Sequence, residues 1–145
     1  DMSFVGPRPN VKRETDLYTK EEQKLLTVRP GITDLSSIVF SDEGEILEGY
    51  SDPDLAYNQL IRPWKSRLGI LYIENQSIFL DVRLIWLTAV AIVSKKTALR
   101  GIVKILKNLG VSAEMIQVCK RENKLTPYPP PGAKEIVKNR NKVPK

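Results

Sequence analysis

Two arginines braced by proline are the residues best placed to do chemistry: Arg8 in Val5-Gly6-Pro7-Arg8-Pro9 and Arg29 in Val28-Arg29-Pro30-Gly31-Ile32-Thr33. Proline fixes φ near −65° and drives the preceding residue toward an extended conformation. Gly6 and Gly31 allow the tight turn that such a proline needs beside it. A guanidinium held this way loses less entropy when its planar fork grips a phosphate or carboxylate. One Arg-Pro turn is most often a plain surface turn; two of them, each after an apolar run, tilt the reading toward an anion. The chain has no histidine and a single cysteine, Cys119. Histidine-dependent acid–base chemistry and serine–histidine triads are therefore excluded. Zinc has almost no ligands available, so a metal would be a hard cation on carboxylates, such as Mg²⁺. Asp42-Glu43 is the one adjacent Asp-Glu pair. It lies in an acidic stretch with Glu45 and Glu48 and reads as a solvated helix start rather than a catalytic dyad.

The elements that must position these side chains are short at the start of the chain and helical beyond it. Met2–Val5 reads as a strand ended by Gly6-Pro7. Lys20–Val28 reads as a helix capped by Thr19 or Asp16 and stopped at Pro30-Gly31. Ile32–Phe40, rich in β-branched and apolar residues, reads as extended chain or a short strand. Asp42–Gly49 reads as a short helix. Asp52-Pro53 opens another helix, which Pro63 should kink or divide. Ser77 caps a helix from Ile78 to about Ser94, apolar nearly all round and hence buried against protein or lipid. Within it Asp81 needs a partner, a salt bridge or a cap. From Thr97 to Leu109 the stripe of Leu99, Ile102, Val103, Leu106 and Leu109 opposes Arg100, Lys104 and Lys107. Gly110 ends that helix and Ser112 caps a last one, to about Asn123. Thr126–Gly132 reads as a polyproline-type spacer and the residues from Ala133 onward as a mobile basic tail. The expected fold is α/β but helix-dominated: short strands near the N-terminus, several amphipathic helices, a basic C-terminal tail.

Charge is unevenly spread. Residues 1–93 carry 10 basic and 14 acidic side chains, residues 94–145 carry 13 and 3, and the whole chain is +6. Such asymmetry points to an anionic partner at the C-terminal end, a lipid surface or a nucleic acid. No apolar run reaches the ~18 to 20 residues needed to span a bilayer. A lone cysteine rules out an internal disulfide framework and suits a reducing compartment.

The strings DMSFVGPRP, YTKEEQKLLTVRPGITDLSSIVF and IFLDVRLIWLT, in this order and spacing, resemble the bacterial sugar transferase family of monotopic phosphoglycosyl transferases. The resemblance covers about Asp1–Val93. It implies transfer of a sugar 1-phosphate from a UDP-sugar to polyprenyl phosphate, with Mg²⁺ and release of UMP, at the cytoplasmic face of the bacterial inner membrane. It also implies that the catalytic Asp-Glu pair and a membrane-dipping helix precede VGPRP. The chain is then expected to be a C-terminal part, inactive alone, whose Mg²⁺ ligands lie elsewhere. Residues 1–96 would belong to the catalytic domain, 97–125 to an amphipathic helical extension, and 126–145 to the spacer and tail. On the resemblance, Arg8 neutralises the diphosphate with Pro7 and Pro9 fixing its aim at the substrate site, Arg29 makes a further phosphate or nucleotide contact with Thr33 as a hydrogen-bond donor, and Asp81 is a characteristic carboxylate, structural before chemical. An anionic membrane surface is a third expected partner. Two rivals remain: a nucleic-acid-binding helix-turn-helix over residues 99–123, the disfavoured partner because it leaves both arginine turns unexplained, and a non-catalytic remnant of the transferase fold.

Overall fold

The computed structural model describes residues 3–8 and 12–145; Asp1, Met2, Pro9, Asn10 and Val11 lie outside them. Strand β1 (Ser3–Val5) pairs in parallel with β2 (Gly31–Thr33), Ser3 opposite Gly31 and Val5 opposite Thr33. A parallel pair needs a long crossover. Here it contains α1 (Lys12–Thr15) and a 3-10 turn at Glu22–Leu26, shorter than the helix expected over Lys20–Val28. Its start is a capping box: the Glu22 amide donates to Thr19 Oγ1 at 3.2 Å, and the Thr19 amide to Glu22 Oε1 at 3.1 Å.

After β2 the expected extended run fails. Asp34 accepts from the Ser37 amide at 2.9 Å and starts α2 (Leu35–Val39). An N-cap carboxylate followed by an inward-facing Leu35, Ile38 and Val39 outweighs the weak β preference of the isoleucine and valine. Then follow α3 (Glu43–Leu47), α4 (Pro53–Leu60) and α5 (Arg62–Glu74). Pro63 does divide a helix in two, sitting in the first turn of α5, where its missing N–H costs nothing. The long pair α6 (Ile78–Val93) and α7 (Lys95–Asn108) is separated by Ser94 alone, and α8 is Ala113–Cys119. The fold is thus helix-dominated, with eight α-helices and one two-stranded sheet among the described residues.

Helix α2 sits at the centre, packed by α5, α6 and α7. The core joins Leu35, Ile38 and Val39 to Leu60, Trp64, Leu68 and Tyr72, and to Leu84, Ile102 and Leu106. The α7 stripe packs on this core: Ile102, Val103 and Leu106 are buried, with Ala98 and Ile105 beside them. Helix α6, expected to lie against protein or lipid, is covered by protein on one face only. It buries Leu80, Leu84 and Leu87 but leaves Ile78, Phe79, Val82, Ile85, Trp86, Ile92 and Val93 exposed. Phe4 and Ile32 are exposed on the sheet face opposite Val5 and Thr33. No helix among the described residues is long and apolar enough to cross a membrane.

The stretch read as a spacer lies against α4 and α5. Tyr128 packs on Trp64 with ring centroids 4.7 Å apart, and its amide donates to Gln59 O. Arg67 lies over both rings and donates to Pro129 O at 2.9 Å. Thr19 Oγ1 donates to Pro131 O at 2.5 Å. Further on, Val137 is buried and its carbonyl accepts from Gln59 Nε2 at 2.8 Å.

Candidate active site and its relatives

The two arginine turns are joined through their backbones. The Gly31 amide donates to Pro7 O at 2.9 Å, and the Gly6 amide to Thr33 O at 3.0 Å. A Cβ on Gly6 would stand 2.7 Å from Arg29 O, and one on Gly31 would run into the Gly6 backbone. The glycines are what allow two proline-braced turns to touch.

Beside this junction lies a cavity of about 440 Å³, walled by Pro7, Arg8, Pro30, Asp34, Ser36, Tyr57, Lys65 and Gly69 among others. That size suits a nucleotide-scale ligand. The cations on its wall differ in one respect. Lys65 pairs with Glu43 at 3.3 Å, Arg13 with Asp54 at 3.1 Å, Arg140 with Asp52 and Asp54, and Arg62 with Glu22. Among the described residues Arg8 has no ion-pair partner, and its side chain is exposed. A cation left unpaired on a cavity wall is free to take an anionic ligand.

The other expected site residues are distributed differently. Pro7 lines the cavity and is buried; Pro9 falls outside the described residues. Arg29 is exposed and does not line the cavity. The turns converge, therefore, but their guanidinium groups do not share this pocket. Thr33 is buried and hydrogen-bonds Thr88 on α6, Oγ1 to Oγ1 at 2.8 Å, tying β2 to that helix rather than facing the cavity. Among the described residues Asp81 has no salt bridge and caps no helix: Tyr72 donates its hydroxyl to Asp81 Oδ1 at 2.6 Å. Burial, and then the bond to Asp81, push the Tyr72 phenol well above its ordinary range. Asp42 and Glu43 part company. Glu43 lines the cavity, whereas Asp42 is held by Arg121 and Lys95, both at 2.8 Å, and is not simply solvated.

Sequence reasoning passed over Asp34, which is 1% exposed and on the cavity wall. Its Oδ1 accepts from the Ser37 amide and from the hydroxyls of Ser36 and Ser37, while Oδ2 has no partner. Burial raises its pKa more than the serine bonds and the Lys65 charge lower it, so the carboxyl is held toward its protonated form. The signal was present as Asp34-Leu35-Ser36-Ser37, an Asx cap with two hydroxyls behind it.

Mg²⁺ finds no complete ligand set in these residues. Among the described residues no three His, Cys, Asp or Glu side chains come together. The cavity carboxylates Asp54 and Glu43 are already engaged by Arg13 and Lys65. What the arrangement can do is bind and orient an anion through Arg8, with Asp34 as a shielded proton donor or acceptor at the wall.

Two Arg-Pro turns joined at their glycines lie beside a cavity in a small helix-dominated body, and the sequence comparison says which family carries them. The chain belongs to the bacterial sugar transferase family, whose profile matches residues 1–95. It is 34% identical over 102 residues to the UDP-glucose:undecaprenyl-phosphate glucose-1-phosphate transferase of Xanthomonas campestris pv. campestris, an alignment covering 67% of this chain and 18% of that protein. It is 32% identical over 88 residues to the uncharacterized sugar transferase EpsL of Bacillus subtilis (strain 168), covering 61% of this chain and 36% of EpsL. The chain thus spans about a third or less of these relatives. No solved structure matches it.

Proposed function

We propose that this chain forms the nucleotide-phosphate wall of a phosphoglycosyl transferase, which moves a sugar 1-phosphate from a UDP-sugar to polyprenyl phosphate and so begins a bacterial polysaccharide or glycoconjugate. A carboxylate attacks the β-phosphorus, the bond from that phosphorus to the bridging oxygen breaks, and UMP leaves with that oxygen. An oxygen of polyprenyl phosphate then attacks the same phosphorus and releases the carboxylate. Negative charge gathers on the departing phosphate during the first step. A pre-aimed guanidinium lowers that barrier, because its orientation is already fixed when the charge appears. Arg8 has that role here. Arg29 acts through its backbone carbonyl, which closes against Gly6, and its side chain contributes less. The carboxylate pair is not among the roles assigned to these residues, so the chain alone binds nucleotide and does not turn over. Work at the cytoplasmic face of the inner membrane fits the outward apolar row on α6, which water solvates poorly.

The observation that carries this reading is the hydrogen-bonded junction of the two turns beside a cavity lined by an unpaired Arg8. Titration of the 145-residue chain with UDP and UDP-glucose, followed by amide NMR, tests it. Shifts are expected at Ser66 and Gly69 on the cavity wall. Arg8→Ala should weaken binding at least about tenfold, the usual scale for a charge-assisted phosphate contact, and Arg29→Ala only about twofold. Binding that ignores Arg8→Ala, or a covalent sugar-phosphate adduct on the chain by itself, would overturn the assignment.

A further inference from the structure

The second cavity lies mostly beyond the stretch matched by the family, with Asp42 and Lys95 inside that stretch. A groove of about 700 Å³ runs between α7 and the turn after α8, lined by seven cations and only two carboxylates, Asp42 and Glu122. Two of the cations, Lys95 and Arg121, are engaged by Asp42. The other five, Lys96, Arg100, Lys104, Lys107 and Lys120, have no ion-pair partner among the described residues. Four of these follow one another on α7 at intervals of four, four and three, and so stack along one helix face. At 1.5 Å per residue that row is roughly 16 Å long. Like charges at this spacing repel one another, so the row is unfavourable in the isolated chain and relieved by a bound anion.

The groove is also built, not merely charged. Leu99 and Val103 line it between the cations. Its back wall is Arg121, whose backbone takes the left-handed conformation, φ 55°, disfavoured for a residue with a Cβ. The guanidinium compensates by donating to Val39 O at 3.0 Å and to both Asp42 oxygens, and it lies over the Phe40 ring. Burial pushes the Asp42 carboxyl up, but the bonds from Arg121 and Lys95 outweigh it and bring the pKa down to about 2.

We propose that this groove is a second anion site, taking a ligand that presents several phosphate groups along its length. One phosphate would engage only part of a 16 Å row. Arg100 suits a bidentate grip and the lysines serve as point charges, while Leu99 and Val103 accommodate carbon beside the phosphates. Clustered headgroups of an anionic lipid and a soluble oligophosphate share this chemistry. Duplex DNA fits worse: the helix that would follow the turn, α8, contains no lysine or arginine, carries Glu114, and buries Met115 and Cys119. The proposal does not depend on UDP binding at the first cavity.

Two probes separate the sources: inorganic triphosphate by calorimetry, and phosphatidylcholine vesicles with or without phosphatidylglycerol by cosedimentation. The variant is Arg100→Gln/Lys104→Gln/Lys107→Gln, all exposed positions. Loss of three charges should weaken binding roughly a hundredfold, with a melting temperature at or above that of the parent because repulsion is relieved. Lys104→Gln alone should cost about fivefold and decides the matter if the triple variant does not fold. Loss confined to phosphatidylglycerol vesicles makes the ligand lipid headgroups; loss confined to triphosphate makes it soluble. The proposal is wrong if the parent binds neither probe, if the variants bind as the parent does, or if duplex DNA is preferred to both.

Discussion

Glu22 and Asp34 are both carboxylates removed from water, at 0% and 1% exposure, yet their surroundings could hardly differ more. Glu22 accepts from Arg62 Nε at 3.0 Å and Nη2 at 2.5 Å, from Ser66 Oγ at 2.6 Å and from the Thr19 amide, so both of its oxygens are satisfied. Arg62 in turn reaches Leu17 O and Asn58 Oδ1. This network fastens the 3-10 turn to α5 and leaves nothing over for chemistry. Asp34 crowds three donors onto one oxygen and leaves the other bare at a cavity wall. A closed network specifies structure, whereas an open one keeps a group available.

The largest effect should come from breaking the closed member. Arg62→Met strands the Glu22 charge in the interior and should cost about 3–5 kcal/mol of unfolding free energy. Glu22→Leu combined with Arg62→Met removes both charges and should recover most of that loss. Urea unfolding of the single and double variants measures the difference. A single variant within about 1 kcal/mol of the parent would mean that the two carboxylates are not the contrasting pair described above.

The open member should declare itself through pH. Its folded pKa lies above the unfolded value, so the native state holds the proton more tightly than the unfolded chain does. The stability from Asp34 is full below the unfolded carboxyl range and is lost as pH rises through its folded value. Asp42 runs the other way. With a folded pKa of about 2, its contribution is present above the unfolded range and disappears as pH falls toward 2. Asp34→Asn should therefore flatten the decline on the neutral side, whatever its own absolute stability, and Asp42→Asn should flatten the acid limb. Unfolding free energies across pH distinguish these outcomes. Identical profiles for Asp34→Asn and the parent would remove Asp34 from the cavity chemistry.

Much of the frame was legible from sequence because its signals are local. Asp52-Pro53, Ser77 and Ser112 cap helices where their types and neighbours say they should, and the heptad-like stripe of α7 faces the core. The failures occurred where distant residues decide. Ile32–Phe40 looks extended until Asp34 is seen to cap α2. TPYPPPG looks like a spacer until Trp64 and Arg67, more than 60 positions earlier in the chain, provide a surface for it. For helix α6 the apolar composition points to cover by protein or lipid, but composition does not say which face the protein takes. The candidate site divides along the same line. Arg8, marked by its motif, lies on the cavity wall. The separation of Arg29 from the cavity depends on which way a turn presents its side chain, and that no spacing reveals.

The smallest effect belongs to a third kind of carboxylate, held in the open. Arg140 bonds Asp52 and Asp54 at 3.0 and 3.1 Å, but all three side chains are 43–55% exposed. Solvent and salt weaken such a bridge, and Arg140→Ala should cost no more than about 0.5 kcal/mol. Nearby Val137 is 3% exposed, so Val137→Ala gives up apolar burial and should cost on the order of 1–2 kcal/mol. Hydrogen exchange at the Tyr128 amide, which donates to Gln59 O, reports on whether the C-terminal stretch stays seated. Faster exchange in Val137→Ala with little change in Arg140→Ala would mean that burial, not charge, holds the stretch down. The reverse order would mean that an exposed ion pair can outweigh a buried side chain here, and the ranking drawn from Glu22 and Asp34 would not extend to the surface.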